Sequence, residues 1–294
     1  MEKTKTRIRL SVIIPTLDRS DVLHEALRLL NQQIDNKTDE IIVVEGANGP
    51  AKARNEAMQR ARGKLLLFLN DDSFVDDNFI ERHLMFHQRR PEISRAMVGF
   101  TQNHPDTVNI PAMKWLVGQS GLHFNYLFTD KKRIMQIPWY YLWTCNLSMK
   151  NEFVRQNDIK FCEEFPTAAW EDIEFAYRAK TKGLKLFYDG LAVVWHYHEL
   201  GLAEIKSRFI SHGRGLFHLE SKLPINFLPF LVKSGIGKMI LDVGAWKIWN
   251  GPQLWLEKNI NRYNVFPNMV MQIMVILWKS QGYHYEKVKM LGVR

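Results

Sequence analysis

The sequence predicts an α/β fold: a mixed sheet flanked by helices, with a helical extension at the carboxyl end of the chain. Three observations predict it: short apolar runs rich in β-branched residues, amphipathic stretches between them, and turn-forming residues at the junctions. Strand and helix alternate over roughly the first hundred residues, which is typical of a sheet covered on both faces. The chain has 294 residues, 46% hydrophobic and 24% charged, and this composition excludes disordered and low-complexity classes.

The first three strands are predicted where β-branched residues, leucine or phenylalanine follow one another, over residues 10–15, 40–44 and 64–69. Residues 21–31 place apolar side chains on one face at helical spacing, and residues 51–62 are also predicted to be helical, with Gly63 as the C-cap. Ligands of such sheets bind at the carboxyl ends of the strands. We therefore expect the site beside the polar residues that follow these three strands.

The rest of the chain has a less regular pattern. Residues 95–145 are rich in tryptophan and tyrosine and show no clear periodicity. A helix is predicted over residues 171–182, followed by two strands over residues 184–188 and 192–195. Beyond residue 200 the pattern is helical and is interrupted by prolines.

The distribution of charge indicates the kind of partner, and the number and spacing of cysteines exclude two kinds of structure. Residues 1–199 contain 27 basic and 26 acidic side chains, whereas residues 200–294 contain 13 and 5. Because the excess avoids the α/β part, we expect no nucleic acid partner, but an anionic surface that contacts the basic, tryptophan-bearing end. Two cysteines without CxxC spacing exclude a disulfide scaffold and a cysteine zinc site. No signal peptide or membrane-spanning segment is predicted, so the expected location is cytoplasmic.

Two pairs of adjacent carboxylates are candidates for chemistry. Asp71 and Asp72 follow the third strand, where a divalent cation would offset their mutual repulsion; a solvated turn that caps the next helix is the alternative. Glu171 and Asp172 begin the late helix. A carboxylate there is a candidate general base for a hydroxyl group, and the alternative is a favourable interaction with the helix dipole.

Three cationic or metal-binding side chains are further candidates. His196 and His198 follow the last predicted strand with i, i+2 spacing, so both rings point to the same side. This arrangement suits a shared metal ion or phosphate group, and two half-buried histidines with backbone partners are the alternative. Arg54 lies in the second helix, where it could hold phosphate or belong to an ordinary solvated helix face.

The order of these motifs along the chain resembles family 2 glycosyltransferases of the GT-A fold. The matching segments are PTLD, EIIVVEG, AKARN, LLFLNDD, WED and VVWHYH, together with CNLSMK and FCEEF, which resemble the G-x-N and F-D-E-x-F segments of the family. The stretch RFISHGRG resembles the R-x-F-x-x-G-R-G segment that follows the late histidine in many relatives. The resemblance covers residues 10–215.

The resemblance implies a role for each matching residue. Nucleotide-sugar binding would fall to Thr16, Asp18, Glu45, Arg54, Asp71, Glu171 and Arg214. The metal ion that bridges the diphosphate would be bound by Asp72, with His196 or His198 as the late histidine. Asp172 matches the base that deprotonates the acceptor hydroxyl. Two positions depart from the family pattern, since Asn70 stands at the first position of the D-x-D motif and Glu45 replaces the usual aspartate.

The implied function is a metal-dependent inverting glycosyltransferase. With Mn²⁺ or Mg²⁺ it would move a sugar from a nucleoside diphosphate sugar, with UDP favoured, to a hydroxyl of a glycan or lipid-linked cell-envelope acceptor. Residues 1–215 would form the GT-A domain, and residues 216–294 a helical region that contacts a membrane surface peripherally, or packs on the catalytic domain or a second subunit. A catalytically silent relative that binds nucleotide or membrane is the alternative function, and a nucleotidyltransferase is a further one.

Overall fold

The computed structural model describes residues 8–17, 20–46, 48–118, 134–224, 246–263 and 268–290. Asp18, a predicted nucleotide-binding residue, lies outside these ranges, as do residues 225–245, which belong to the region predicted to be helical. The described residues group in two compact units. The first unit takes in the described residues up to His104, those from 134 to Cys162, and Phe175–His198; the second takes in residues 105–118, Glu163–Glu174 and the described residues from Glu199 onward.

Eight strands in the described residues form one sheet: β1 (Leu10–Thr16), β2 (Asp39–Glu45), β3 (Leu65–Leu69), β4 (Ser73–Val75), β5 (Arg95–Asn103), β6 (Met135–Ile137), β7 (Asn146–Lys150) and β8 (Lys185–His196). Their order is β2-β1-β3-β7-β5-β8-β4, and β6 pairs with β8 beside this path. The strand β1 is parallel to β2 and β3, and β5 is parallel to β8, whereas the other pairings are antiparallel. The predicted mixed α/β sheet is confirmed.

Nine helices occur in the described residues: α1 (Ser20–Asn31), α2 (Pro50–Arg60), α3 (Phe79–Arg89), α4 (Pro111–Gly118), α5 (Asn151–Gln156), α6 (Glu171–Thr181), α7 (Leu202–Lys222), α8 (Trp246–Tyr263) and α9 (Asn268–Met290). Short 3₁₀ turns cover Pro105–Val108 and Trp139–Tyr141. The elements predicted before residue 70, and the helix α6, begin and end within two residues of their predicted bounds.

Side-chain alternation places an apolar cluster on each face of the sheet. In β3, Leu66 and Phe68 point to the α5 face, where Phe153 of α5 packs on them in the same cluster. Leu67 points to the opposite α3 face, which Phe86 of α3 covers. Full burial of each such side chain stabilises the fold by about 1.5–3 kcal/mol. The sheet is therefore a rigid layer, and the residues at its strand ends are held in fixed positions.

The prediction that Gly63 caps the second helix is wrong. Helix α2 ends at Arg60, and Ala61 already has an extended backbone with φ −65° and ψ 127°. Gly63 instead passes directly over β1, where a Cβ atom would overlap the backbone of Ser11. Its N–H donates to the Ser11 hydroxyl oxygen at 2.8 Å. A glycine is needed here for close approach of two backbones rather than for a helix end.

The two strands predicted over residues 184–188 and 192–195 are one strand, β8. Its pairing with β5 jumps from Asp189 opposite Gly99 to Val193 opposite Phe100, so residues 190–192 bulge out of the ladder. The backbone N–H of Leu191 donates to Asp189 Oδ1 at 3.0 Å within this bulge. The break in the apolar pattern that suggested two strands therefore marks a bulge within one strand.

Helices α4, α7, α8 and α9 of the second unit pack around an apolar cluster that contains Phe209 and Trp278. Helices α7 and α9 approach each other at two glycines: a Cβ on Gly213 would overlap the carbonyl of Lys279, and one on Gly282 would overlap that of Ile210. No helix among the described residues is both long and apolar enough to cross a membrane. Helix α7 runs through residue 215, and the predicted division of the chain there stays a prediction.

Candidate metal and nucleotide-sugar site

The three predicted metal ligands, Asp72, His196 and His198, lie together at the end of β8. The strand β4 pairs with β8 so that Ser73 stands opposite His196, and the N–H of Tyr197 donates to the carbonyl oxygen of Asp72 at 2.8 Å. This ladder holds the residue before β4 against the end of β8. His196 Nε2 lies 3.1 Å from Asp72 Oδ1, and His198 Nδ1 lies 3.3 Å from Asp72 Oδ2.

The chemistry of this cluster fits a divalent metal ion. One ligand atom from each of Asp72, His196 and His198 lies within 4.8 Å of the other two. The two imidazole rings stack with an interplanar angle of 13°, as expected for i, i+2 side chains on one side of a strand. Asp72 and His196 are buried, whereas 22% of the His198 side chain is exposed, so the cluster opens to solvent beside His198. Three protein ligands would leave further coordination positions for substrate oxygens.

Asp71, the other member of the carboxylate pair, is buried and contacts the end of β1. Its Oδ2 accepts hydrogen bonds from the Thr16 hydroxyl at 2.9 Å and from the Leu17 N–H at 3.3 Å. The carboxylate thereby joins the carboxyl ends of β1 and β3, as expected for parallel neighbours in one sheet. Asp71 and Asp72 thus have different contacts: the first binds Thr16 and Leu17 at the end of β1, and the second faces the histidines.

Glu45 and Arg54 come from β2 and α2. Glu45 stands opposite Thr16 in the β1–β2 ladder, and its side chain is exposed. Arg54 is only 5% exposed, with its guanidinium 5.5 Å from the centre of the Phe161 ring. Its neighbour Asn55 exchanges hydrogen bonds of 2.9 and 2.7 Å with the backbone of Phe161. The interpretation of Arg54 as part of a solvated helix face is therefore wrong, whereas its contact with phosphate stays a prediction.

The remaining predicted site residues belong to the second unit. Trp170 has a φ of 73° and donates its indole N–H to a carbonyl of α7 at 2.8 Å, which fixes the entry into α6. In the first turn of α6, Glu171 is buried and Asp172 is half-buried. Arg214 of α7 donates to Glu286 Oε1 at 2.6 Å. The roles of Asp172, Glu171 and Arg214 stay predictions.

A buried polar network behind β8 was not predicted from the sequence. His83 Nδ1 and His87 Nε2, one turn apart on α3, lie 2.8 and 2.9 Å from the Ser148 hydroxyl of β7. His83 Nε2 lies 3.1 Å from Asn146 Oδ1. Burial lowers the pKa of each histidine to about 3, so both rings are neutral near pH 7. One feature of the sequence could have predicted this network. His83 and His87 are four residues apart and therefore lie on one face of a helix, together with buried Phe79.

Residues 45–146 match the family described as Glycosyl transferase family 2, whereas no curated protein matches the sequence of the chain. Among solved structures, TarS of S. aureus is similar over 70% of this chain and 39% of its own length, with 16% identity and a TM-score of 0.50. TarS 1–349 in complex with UDP-GlcNAc is similar over 97% of this chain and 92% of its own, with 14% identity and a TM-score of 0.53. The mannosyltransferase PcManGT from Pyrobaculum calidifontis, in complex with GDP-Man and Mn²⁺, is similar over 96% and 88%, with 13% identity and a TM-score of 0.58.

These structures share the fold of this chain, a mixed sheet flanked by helices of the GT-A type, and at such identities they show the fold alone. The chain spans 39% of the length of full-length TarS. The sequence match over residues 45–146 runs from Glu45 through Arg54, Asp71 and Asp72 to Asn146. The fold predicted for this chain is confirmed, and over residues 45–146 its sequence is similar to that of family 2 glycosyltransferases.

Proposed function

We propose that this chain is a metal-dependent inverting glycosyltransferase, which moves a sugar from a nucleoside diphosphate sugar to a hydroxyl group of an acceptor. One observation carries the proposal: Asp72, His196 and His198 converge within 4.8 Å of one another at the end of β8. A diphosphate leaving group needs a positive charge beside it, because negative charge develops on its oxygens as the sugar departs. A metal ion bound by these residues would supply that charge.

The proposed metal is Mn²⁺ rather than Mg²⁺. Mg²⁺ prefers oxygen ligands in a strict octahedron and gives up its waters reluctantly. The cluster here offers two imidazole nitrogens for one carboxylate, a mixture that suits a transition metal ion better. PcManGT, a protein of similar fold, was solved with Mn²⁺. Mg²⁺ is therefore expected to support turnover less well.

The nucleoside of the donor is proposed to lie against the loop after β1. Asp71 accepts a hydrogen bond from Thr16 at the end of β1, and Asp18 comes two positions later in the sequence. Glu45 offers an exposed carboxylate beside Thr16, suited to ribose hydroxyls or base N–H groups. Arg54 is proposed to face phosphate. TarS was solved with UDP-GlcNAc and PcManGT with GDP-Man, so we propose uridine as the base and guanosine as the comparison to test.

Asp172 is proposed to be the general base. Its carboxylate would take the proton of the acceptor hydroxyl while that oxygen forms a bond to the anomeric carbon. The bond between this carbon and the diphosphate would break, with its electron pair leaving on the diphosphate oxygen. A single displacement of this kind inverts the anomeric configuration. Glu171 and Arg214 are proposed to contact the donor sugar or the diphosphate.

The test is a screen of nucleotide sugars that measures release of nucleoside diphosphate with Mn²⁺, with Mg²⁺ and with EDTA. We expect Mn²⁺-dependent release from one uridine sugar, and loss of that release in Asp72→Asn. Asp77→Asn is the matched control, because Asp77 is an exposed aspartate five positions further along the chain. Its activity should equal that of the unchanged protein.

The screen also separates the proposal from its alternatives. Release of pyrophosphate instead of nucleoside diphosphate would identify a nucleotidyltransferase. Nucleotide binding in calorimetry, without turnover on any acceptor tested, would identify the silent relative. Turnover that persists in EDTA and in Asp72→Asn would overturn the metal-dependent mechanism.

The acceptor is proposed to be a glycan or lipid-linked cell-envelope precursor presented at an anionic membrane surface. Helices α8 and α9 each carry exposed apolar side chains, Leu254 and Trp255 on α8 and Met269, Ile273 and Ile276 on α9. Trp255 is 64% exposed and Met269 is 73% exposed. Exposed Lys258 and Arg262 follow on the same helix as Trp255, and residues 200–294 contain 13 basic against 5 acidic side chains. Apolar and basic side chains together are typical of helices that lie in the headgroup plane.

Vesicle sedimentation tests this membrane contact. We expect the protein to sediment with phosphatidylglycerol vesicles, to stay in solution with phosphatidylcholine vesicles, and to be released by salt. Trp255→Ser combined with Ile273→Ser should abolish sedimentation, whereas Leu191→Ser, which changes an exposed leucine of the first unit, should not. Binding that is indifferent to lipid charge would contradict the proposal. A dimer in light scattering that the double variant dissociates would identify a second copy as the partner instead.

A further inference from the structure

We propose that Asn146 is a positioning residue of the metal cluster: it holds the bulge of β8 that turns His196 toward Asp72. The inference rests on the proposed metal site. Asn146 lies at the start of β7 and contacts none of the three ligands through a described hydrogen bond. Its influence would pass through the backbone of β8.

The bulge decides which face of the sheet His196 occupies. Before the bulge, Leu186 and Tyr188 belong to the apolar cluster of the α5 face. From the last residue of the bulge onward, Ala192 and Val194 belong to the cluster of the α3 face. Side chains alternate along a strand, so these even-numbered residues would share one face if β8 were regular. Three extra residues shift the alternation by an odd number, and His196 therefore changes face with Ala192 and Val194.

Asn146 reaches this bulge from β7 across the intervening strand β5. Its amide Nδ2 donates to the carbonyl oxygen of Ala192 at 2.9 Å and to that of Phe100 at 3.3 Å. Ala192 is the last residue of the bulge, and Phe100 is the first residue of β5 after the register jump. A Cβ atom on Gly99 would overlap both the Ala192 carbonyl and the Asn146 amide. Because Gly99 has no side chain, the Asn146 amide of β7 has room to reach the Ala192 carbonyl of β8.

The hydrogen-bond directions allow one orientation of the Asn146 amide. Because Nδ2 serves two carbonyls, Oδ1 must accept, and His83 Nε2 is the protonated ring nitrogen that donates to it. The neutral His83 ring then accepts at Nδ1 from the Ser148 hydroxyl, whose oxygen accepts from His87 Nε2. A flipped amide would point its oxygen at the Ala192 and Phe100 carbonyls. Helix α3 therefore fixes the amide that holds the bulge.

A second contact from α3 holds the start of the bulge. The guanidinium of Arg82 lies 2.6 Å from the buried carboxylate of Asp189, which also accepts from the Leu191 N–H. The bulge is thus held at Asp189 by an ion pair and at Ala192 by Asn146. Arg82 and His83 both belong to α3, so this one helix supports both contacts that hold the bulge before His196.

The experiment measures Mn²⁺ affinity without donor or acceptor, by the electron paramagnetic resonance signal of free Mn²⁺. Asn146→Leu removes the amide, and Gly99→Ala keeps the amide but places a methyl group against both the amide and the Ala192 carbonyl. Both should weaken Mn²⁺ binding by about tenfold or more, as loss of residues that support metal ligands commonly does. The matched control is Asn151→Leu, because Asn151 is also buried and also donates to two backbone carbonyls, those of Ala61 and Gly63. It should keep the Mn²⁺ affinity of the unchanged protein.

Thermal unfolding of all variants separates positioning from general stability. The inference holds if Asn146→Leu and Asn151→Leu lower the melting temperature alike, but only the first weakens Mn²⁺ binding. It is overturned if Asn146→Leu binds Mn²⁺ as tightly as the unchanged protein. Should Asn146→Leu not fold, Asn146→Ser and Gly99→Ala decide by the same criterion. Failure of the unchanged protein to bind Mn²⁺ would overturn the proposed metal site itself, which is a different result.

Discussion

At the scale of single residues, the adjacent carboxylates of Asp71 and Asp72 have different partners. Asp71 accepts from Thr16 and Leu17, whereas Asp72 faces two histidines. We expect Thr16→Val to weaken binding of UDP and to leave Mn²⁺ affinity unchanged, because only the end of β1 loses its hydrogen bond to Asp71. An unmet hydrogen bond on a buried group costs about 1–3 kcal/mol, which corresponds to about 5-fold to 150-fold in affinity. Calorimetry with UDP and Mn²⁺ measures both.

Thr16→Ser is the control for this prediction, since it keeps the hydroxyl group. It should bind UDP as the unchanged protein does. Equal loss of Mn²⁺ affinity in Thr16→Val would show that the two carboxylates are not independent. Full UDP affinity in Thr16→Val would remove the loop after β1 from the proposed nucleotide site.

Buried neutral histidines predict a loss of stability in acid. Burial lowers the pKa of His83, His87 and His212 from 6.5 to about 3. Between these pH values the unfolded chain binds protons that the folded chain does not, so the free energy of unfolding falls as the pH drops from 6.5 toward 3. At pH 5 each histidine should contribute a loss of about 2 kcal/mol relative to pH 7. Denaturant titrations at the two pH values measure the loss.

A variant with one fewer buried histidine tests the cause of this acid sensitivity. His87→Gln should lose less stability between pH 7 and pH 5 than the unchanged protein. His24→Gln, which replaces an exposed histidine of α1, should show the original dependence. The same slope in all three proteins would assign the acid sensitivity to other groups.

At the level of elements, the contact between α7 and α9 depends on glycine. Gly213 and Gly282 each lie against a carbonyl of the opposite helix. We expect Gly213→Ala to lower the free energy of unfolding by about 1–3 kcal/mol, because the added methyl group forces the helices apart. Gly118→Ala at the end of α4 is the matched control: apart from its chain neighbours nothing lies within 4 Å of the added Cβ there, and the change should leave the free energy of unfolding almost unchanged. A loss of similar size in both variants would contradict the packing argument.

The sequence predicts well those elements whose bounds follow from residues next to one another in the chain. The strands β1, β2 and β3 are short apolar runs bounded by turn residues, and their bounds follow from that pattern. The bulge of β8 depends on Asn146 of another strand and on space left by Gly99, and no local pattern contains that pairing. The candidate metal ligands were predicted by resemblance to a family. The supporting histidine network was not, because its partners lie on α3 and β7 and meet only in the fold.

Across the whole molecule, the second unit joins segments that lie far apart in the sequence. Trp115 of α4 shares an apolar cluster with Phe209 of α7 and Trp278 of α9. The predicted boundary at residue 215 divides the chain by position in the sequence. The apolar cluster instead unites side chains that are buried together although they are far apart in the sequence. Apolar periodicity shows which face of a helix is buried, but not which distant helix covers it. Which distant helices share an apolar cluster therefore does not follow from the periodicity of one sequence.

Metal binding is expected to stabilise the whole chain, because the ligands are brought together only by folding. Asp72 and His196 are 124 positions apart, so the unfolded chain offers no comparable site. At about one hundred times its Kd, Mn²⁺ should add about 2.7 kcal/mol to the free energy of unfolding. Thermal unfolding with Mn²⁺ and with EDTA measures the shift, which Asp77→Asn should show in full and Asp72→Asn should lack. An equal shift in Asp72→Asn would mean that Mn²⁺ binds elsewhere on the chain, and the proposed assignment of the cluster would fail.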